Sequence, residues 1–352
     1  MNCINRRYLM YISQNYSYAI LRPIQKYILS QGGEVRWFLE GDEVSSRFLS
    51  EQELQLNSID DVNAWKPCAV FVPGNVVPSF IPGLKVAVFH GFNAGKINRR
   101  GRLDHFEIRG CFDLYCTQGP ETTTPFKKLA DKYKYFEVVE TGWPTLDPLF
   151  ENDESNPYVD HDDERPTILM CSTFSRNLSC APILFDKIKE LSDKGNWRWL
   201  IQFHPKMPQE IVDKYKSLQN DNVKFIETDN VLPLLKAADV MLCDTSSVLI
   251  MFLMLKKPVV TFRNQSPEPH LINITEVDDL EASLMEALHM STEHKVRIEN
   301  YVDHIHPYKD AHSSVRVVEA ANEFLDVGET KRKPLNLLRE LKLRKKLGYW
   351  KV

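Results

Sequence analysis

The run Val240-Met-Leu-Cys-Asp-Thr-Ser-Ser-Val-Leu-Ile-Met-Phe-Leu-Met-Leu-Lys-Lys-Pro-Val-Val-Thr-Phe262 constrains the fold more than any other part of the chain. An apolar strand, a small polar turn, an apolar helix and a second apolar strand follow one another, which is the pattern of a βαβ unit. The same alternation recurs on both sides of an acidic stretch. Before it, strand-length apolar runs fall at Tyr8–Ser13, Val35–Leu39, Ala69–Pro73, Val86–His90, Leu114–Thr117 and Phe136–Thr141. After it they fall at Thr167–Cys171, Trp199–His204, Val223–Glu227, Val240–Cys243 and Val259–Phe262. Strands alternating with helical segments on this scale predict parallel sheets of an α/β protein.

The acidic stretch from Glu151 to Arg165 is poor in apolar residues, as an exposed domain junction is. The expectation is therefore two Rossmann-like domains facing one another across a cleft. They would occupy residues 1–150 and 166–330, with a linker over 151–165 and a tail over 331–352. A chain of 352 residues, 43% of them hydrophobic, can supply a core to each.

Charge and cysteine usage exclude several classes. The net charge is −4, but residues 331–352 hold nine Lys or Arg against one Glu, a net of +8, so the rest carries −12. So acidic a body argues against nucleic-acid binding. The seven cysteines, Cys3, Cys68, Cys111, Cys116, Cys171, Cys180 and Cys243, are odd in number and show no C-x-x-C spacing. Neither a disulfide framework nor a zinc site is indicated. The N-terminus lacks the pattern of a signal peptide, and no run of about 18 apolar residues occurs, so a cytoplasmic protein is expected. There is no G-x-G-x-x-G and no G-x-x-x-x-G-K-[ST], so a nucleotide would be held by helix N-termini and side chains rather than by a glycine-rich loop.

Four segments place polar or charged residues directly after an apolar strand. In the first, His90 and Gly91 end a strand, and Lys96, Arg99 and Arg100 follow in a loop suited to an anion or an acceptor. The second is Ser172-Thr-Phe-Ser-Arg176, the third ends in His204-Pro205, and the fourth is the turn Asp244-Thr-Ser-Ser247. The carboxyl ends of parallel strands share one sheet edge, so the last three segments should converge there, with His90 supplied by the other domain. Imidazole is the usual general base near neutral pH, which favours His90; a buried or loop histidine is the plainer alternative. His204 reads equally as a residue that closes a strand. Lys96, Arg99 and Arg100 read also as a solvated basic loop. Hydroxyls and free amides of the Asp244–Ser247 turn suit a phosphate, and Ser246 and Ser247 suit a helix N-cap equally well. No Asp-x-Asp stands at the expected strand end, so the sequence makes no case for an essential metal.

The ordered set His-Gly-x-x-x-x-Lys at His90–Lys96, Thr-Gly-x-Pro-x-x-Asp at Thr141–Asp147, Ser-Thr-Phe-x-Arg at Ser172–Arg176, His204-Pro205, and Ala-Asp-Val-x-x-Cys-Asp-x-Ser-Ser-Val followed by Lys-Pro-Val-Val resembles the CDP-glycerol glycerophosphotransferase family of teichoic-acid and capsule polymerases. The resemblance implies a GT-B fold and a CDP-linked polyol donor, which is a substrate rather than a cofactor. It also implies two histidines needed for activity, matching His90 and His204. Donor-binding residues would be Thr173, Arg176, Asp244, Ser246 and Ser247. Departures occur at Thr245, where the family commonly has Tyr, and at Leu249-Ile-Met-Phe252, which lacks its acid. They leave the donor open between a polyol phosphate and a nucleotide sugar.

The implied reaction moves glycerol phosphate, or a related polyol phosphate, from the CDP donor to a hydroxyl of a cell-surface glycan or lipid-linked acceptor, releasing CMP. Competing readings are a GT-B glycosyltransferase acting on a nucleotide sugar, a nucleotide-sugar 2-epimerase, and a family member that binds donor or polymer without turnover. In the tail, Leu337, Leu338, Leu341 and Leu347 recur at helical spacing among Arg339, Lys342, Lys345 and Lys346, with Tyr349 and Trp350 after Gly348. This predicts a basic amphipathic helix that either packs on the body or binds an anionic membrane surface peripherally, at the inner face of the cell membrane.

Overall fold

The computed structural model describes residues 5–41, 43–92, 101, 103–151, 155–204, 206–228, 230–246 and 248–351. Lys96, Arg99, Arg100 and Ser247 lie outside the described residues. The chain divides into two compact units, Met1–Glu151 with His304–Val352, and Asn152–Asp303.

The first unit runs β1 (Arg7–Ile12), α1 (Ser17–Ser30), β2 (Glu34–Leu39), α2 (Ile59–Trp65), β3 (Ala69–Val72), β4 (Leu84–Ala87), β5 (Leu114–Thr117), α3 (Pro120–Tyr133), β6 (Glu137–Glu140) and α4 (Asp147–Phe150). Its six strands form a parallel sheet in the order β2-β1-β3-β4-β5-β6. The second unit runs β7 (Thr167–Ser172), α5 (Ala181–Asp193), β8 (Arg198–Phe203), α6 (Gln209–Lys216), β9 (Val223–Phe225), α7 (Leu232–Ala237), β10 (Val240–Cys243), α8 (Val248–Leu253), β11 (Val259–Phe262), β12 (Ile272–Ile274), α9 (Leu280–Leu288) and most of α10 (Thr292–Ile305). Its sheet is also parallel, ordered β12-β11-β10-β7-β8-β9. Two helix-flanked parallel sheets are the α/β architecture of the GT-B type. Strands buried on both faces need apolar residues at nearly every position, and β7, β10 and β11 are buried throughout.

The chain then returns to the first unit with α11 (Ser313–Val327) and α12 (Leu337–Leu347). This corrects the expected boundary at residue 330, and the cause lies in Thr141–Asp147. The Asp147 carboxylate accepts from the backbone N–H groups of Ser313 (2.9 Å) and Ser314 (2.7 Å), satisfying the first turn of α11. Gly142 takes φ +81°, and a Cβ there would stand 2.4 Å from the Ser313 hydroxyl, so only glycine permits the approach. Trp143 N–H donates to His306 Nε2 (2.8 Å), and Arg316 Nε donates to the Thr141 carbonyl (2.9 Å). Tyr8 in β1 donates its hydroxyl to Asn322 Oδ1 at 2.6 Å. The Thr-Gly-x-Pro-x-x-Asp motif is thus a clasp for the returning segment.

The tail splits differently from its sequence pattern. Leu343 is buried, and Leu347 and Tyr349 pack against the first unit's core. Arg339 donates to the Arg109 carbonyl, Lys346 pairs with Glu40 (2.7 Å), and Glu340 accepts from Ser79 N (3.0 Å) and Oγ (2.7 Å). Two cations expected on a solvated face therefore hold the helix to the body.

Candidate active site

In the second unit β7 lies between β10 and β8, so the loops leaving the carboxyl ends of β7 and β10 emerge side by side. Such a reversal of strand order is where an open parallel sheet offers a crevice. Asp244, the first residue after β10, is fully buried. Its carboxylate accepts from Ser172 Oγ (2.6 Å), Thr173 N–H (3.1 Å) and Cys180 N–H (3.0 Å). Ser172 Oγ also lies 2.8 Å from Ser179 Oγ. Its oxygens thus close the loop 173–180 and serve the N-terminus of α5, an arrangement that suits positioning of the loop. Burial, and after it the Asp244 charge, pushes the Cys171 thiol up to about 12, while Cys180 and Cys243 are raised well above the usual thiol range. These thiols stay protonated and pack as small apolar groups.

The loop held by Asp244 carries Thr173, Phe174 and Arg176. No described residue pairs with the exposed Arg176 guanidinium. Thr245 Oγ1 accepts from Gln265 N–H (3.0 Å), and Asn264 Nδ2 donates to the Asp244 carbonyl (3.1 Å), tying the turn after β10 to the loop after β11. The half-buried Ser246 hydroxyl has no partner among the described residues. The helix after this turn, α8, spans six residues, so few peptide dipoles add up along it and the side chains of the turn matter more than its end charge.

His204 follows β8 and is exposed. Its ring packs on Phe174 with centroids 4.6 Å apart, which brings it beside the Thr173–Arg176 loop. The Lys206 backbone N–H donates to His204 Nδ1 (3.0 Å). Nδ1 therefore carries the lone pair and Nε2 the proton. Burial against Phe174, and then the Lys206 charge, lowers the pKa of His204 below its ordinary 6.5, so the ring is neutral at neutral pH and offers an Nε2–H donor.

In the first unit β4 ends sooner than expected, because Phe89 takes φ +57°, a conformation costing a non-glycine residue about 1 kcal/mol. Its ring is fixed against His105 (5.0 Å) and Phe126 (5.2 Å), and Trp143 Nε1 donates to its carbonyl (3.4 Å). The turn sets His90 out from the sheet edge, exposed, with Nδ1 3.0 Å from the Pro73 carbonyl. A carbonyl only accepts, so His90 Nδ1 carries the proton and Nε2 presents its lone pair. The Tyr16 ring lies 5.9 Å from that of His90. Gly91 donates no bulk, and nothing stands within 4 Å of where its Cβ would be.

Of the residues expected at the site, Thr173, Arg176, His204, Asp244 and Ser246 gather at one sheet edge of the second unit, while His90 stands at the corresponding edge of the first. Phe174 stands in the Ser-Thr-Phe-x-Arg motif, but its packing under the His204 ring is set by the fold. A cavity of about 430 Å³ opens beside Arg176, walled by Phe174, Phe185, Met207, Lys214 and Tyr215. Of the residues around it, only Arg176 and Phe174, both in the Ser172–Arg176 segment, have a signal in the sequence. Among the described residues no group of three or more His, Cys, Asp or Glu is arranged to hold a metal ion.

Comparison with known proteins fits this architecture. A putative UDP-N-acetylglucosamine 2-epimerase from Listeria monocytogenes superposes with a TM-score of 0.67 at 13% identity, covering 93% of this chain and 99% of that one. The wall teichoic acid polymerase TagF superposes with a TM-score of 0.63 at 14% identity, covering 91% and 89%. MnaA of S. aureus, in its structure with UDP, gives 0.62 at 14%, covering 93% and 98%. At such identities the likeness concerns the fold. No curated protein matches. The sequence model of one family matches residues 107–268, a stretch that includes the clasp, Thr173, Arg176, His204 and the turn after β10, with His90 preceding it. On a fold of the GT-B type, the chain is thus similar over residues 107–268 to the CDP-Glycerol:Poly(glycerophosphate) glycerophosphotransferase family.

Proposed function

We propose that the protein transfers glycerol phosphate, or a closely related polyol phosphate, from a CDP-activated donor to a hydroxyl of a glycan or lipid-linked acceptor, with release of CMP. The family match supports the reaction type, and a TagF structure was obtained after soaking with CDPG. The observation that carries the reading is the opposite tautomers of the two histidines. His90 presents an unprotonated Nε2, the requirement for a base that takes the proton of an attacking hydroxyl. His204 presents an Nε2–H while neutral, the requirement for a donor to a phosphate oxygen as charge develops on the leaving CMP.

Phosphoryl transfer depends chiefly on positioning and on neutralising charge over the oxygens in flight. Arg176, with no partner among the described residues, supplies a cation on the loop that packs against His204, and Thr173 and Ser246 supply hydroxyls. Asp244 acts through the Thr173 loop. Lys96, Arg99, Arg100 and Ser247 keep the roles the sequence suggests for them, as anion or acceptor contacts and a donor contact respectively. The test is incubation of the protein with CDP-glycerol, UDP-sugars and a mixed glycan acceptor, reading the nucleotide released. CMP release that falls by about 10²–10⁴-fold in His90→Ala is expected. Release of UDP alone, epimerisation of a UDP-sugar, or no turnover with any donor would overturn the assignment.

A further inference from the structure

A single exposed tyrosine is ordinary on a protein surface. Tyr16 differs in where it stands and in how firmly its backbone is held. It lies between β1 and α1, and its ring centroid is 5.9 Å from that of His90 at an interplanar angle of 33°. The residue is 50% exposed, although Ser17 and Tyr18, which follow it, are buried.

The corner that carries Tyr16 is pinned on both sides. Ser17 and Tyr18 donate their backbone N–H groups to the carbonyls of Gln14 (3.1 Å) and Asn15 (3.3 Å). Asn15 Oδ1 accepts from Ser45 N–H (2.9 Å), its Nδ2 donates to the Glu43 carbonyl (3.3 Å), and the Tyr18 hydroxyl donates to the Ser45 carbonyl (3.0 Å). An aromatic ring is thus offered to solvent from a fixed backbone, which lowers the ordering cost of binding to it. The Tyr16 hydroxyl has no partner among the described residues. Burial raises its pKa above the ordinary 10.0, so it stays protonated and can donate.

Small residues keep the neighbouring space open. Nothing stands within 4 Å of where a Cβ of Gly91 would be, and at Gly74 a Cβ would come 3.3 Å from the Ser13 hydroxyl. The segments Ser13–Tyr16, Glu43–Ser45 and Pro73–Asn75 contain no cation. They do contain the exposed Glu43, whose carboxylate accepts from Gln14 Nε2 at 3.2 Å. A phosphate would find no counter-charge in these segments, whereas a neutral ring of hydroxyls would find donors and acceptors.

We propose that Tyr16 is the platform on which a neutral pyranose ring of the acceptor lies, with one of its hydroxyls set before His90. The C–H groups on one face of a pyranose are apolar and weakly positive, which suits the negative face of an aromatic ring, and its hydroxyls at the rim suit the Tyr16 O–H. A linear polyol phosphate has no such face and brings a charge toward Glu43. The proposal rests on His90 as the base of the transfer described above, and it makes the receiving unit a sugar.

The test uses the full chain and its Tyr16→Ala, Tyr16→Phe and Tyr16→Trp variants, with methyl pyranosides and a glycerol phosphate dimer as soluble acceptors. In CMP release from CDP-glycerol, Tyr16→Ala should raise the KM for the pyranosides about tenfold, with the KM for CDP-glycerol unchanged. Tyr16→Trp should restore the pyranoside KM to within about threefold, and Tyr16→Phe should raise it about threefold through loss of the hydroxyl. Saturation-transfer NMR of the pyranosides reads the platform without turnover, and the sugar's C–H protons should be the most strongly saturated. Should no CMP be released while this signal is present in the unaltered chain, kept in Tyr16→Trp and lost in Tyr16→Ala, the transfer reading fails and the platform stands. Equal pyranoside binding by the Ala variant, no pyranoside signal from the unaltered chain, or preference for the glycerol phosphate dimer would overturn the proposal. So would a fall in kcat with the pyranoside KM unchanged, which would make Tyr16 a support for the His90 ring.

Discussion

Replacing Asp244 by Ala would leave three donors without an acceptor, the buried Ser172 hydroxyl, the buried Cys180 N–H and the partly buried Thr173 N–H. Each such orphan costs about 1–3 kcal/mol, and the hydroxyl can turn to Ser179, which leaves two, so the loss should be about 2–6 kcal/mol. Asp244→Asn separates the charge from the geometry. Its amide oxygen, placed where Oδ2 stands, keeps all three acceptances and forfeits only their charge assistance, for a loss of about 1–2 kcal/mol. Urea unfolding followed by tryptophan fluorescence reads this directly, since Trp197 and Trp199 belong to the second unit's core. CDP affinity, measured by calorimetry where each variant is folded, should fall little in the Asn variant. An Ala variant as stable as the unaltered protein but unable to bind CDP would show that Asp244 touches the donor, and the positioning argument would fail.

Other changes probe the remaining features. Asp147→Ala strips two buried backbone N–H groups of their acceptor and should cost about 2–4 kcal/mol, read by denaturant midpoint; a loss under about 0.5 kcal/mol would mean the clasp is not needed. Ser246→Ala should weaken CDP binding about tenfold while leaving stability within about 0.5 kcal/mol, and the opposite pattern would make it a structural hydroxyl. His306 is fully buried and burial lowers its pKa to about 4 from an ordinary 6.5. A depressed folded pKa means the unfolded chain binds the proton first, so this contribution is intact above about pH 6.5 and is lost as pH falls toward about 4. Between about pH 7 and pH 5 it amounts to about 2 kcal/mol. His270, held at about 4 by burial, adds to the same trend, and a flat stability profile over that range would contradict both.

How much the chain discloses of itself depends on whether a feature is local. The strands of β5, β10 and β11 coincide with apolar runs of the sequence, because a strand covered on both faces has little freedom of composition. Strand β12, Ile272–Ile274, escaped because three residues carry no period. Asp244 reads as part of a phosphate turn since its neighbours are small and polar, while the partners that its carboxylate holds lie 64 to 72 positions away and carry no local signal. The clasp is less legible still, with 166 positions between Asp147 and Ser313. The strand-end positions of His90 and His204 are legible in the sequence, while the proton placement on each ring depends on a carbonyl and an N–H that only the folded backbone supplies.

The return of residues 304–352 to the first unit has a consequence for synthesis. A ribosome delivers the chain from its amino end, and the second unit, an uninterrupted span, can close as soon as its last strand and helices emerge. The first unit begins earlier and finishes last: β1 must wait for Asn322, and Asp147 for Ser313, before their buried polar atoms are met. A nascent protein therefore holds an unfinished sheet open while its neighbour is already folded. A stop codon or proteolytic cut just after residue 303 would release a molecule whose later-made half is sound and whose earlier-made half lacks its final helices.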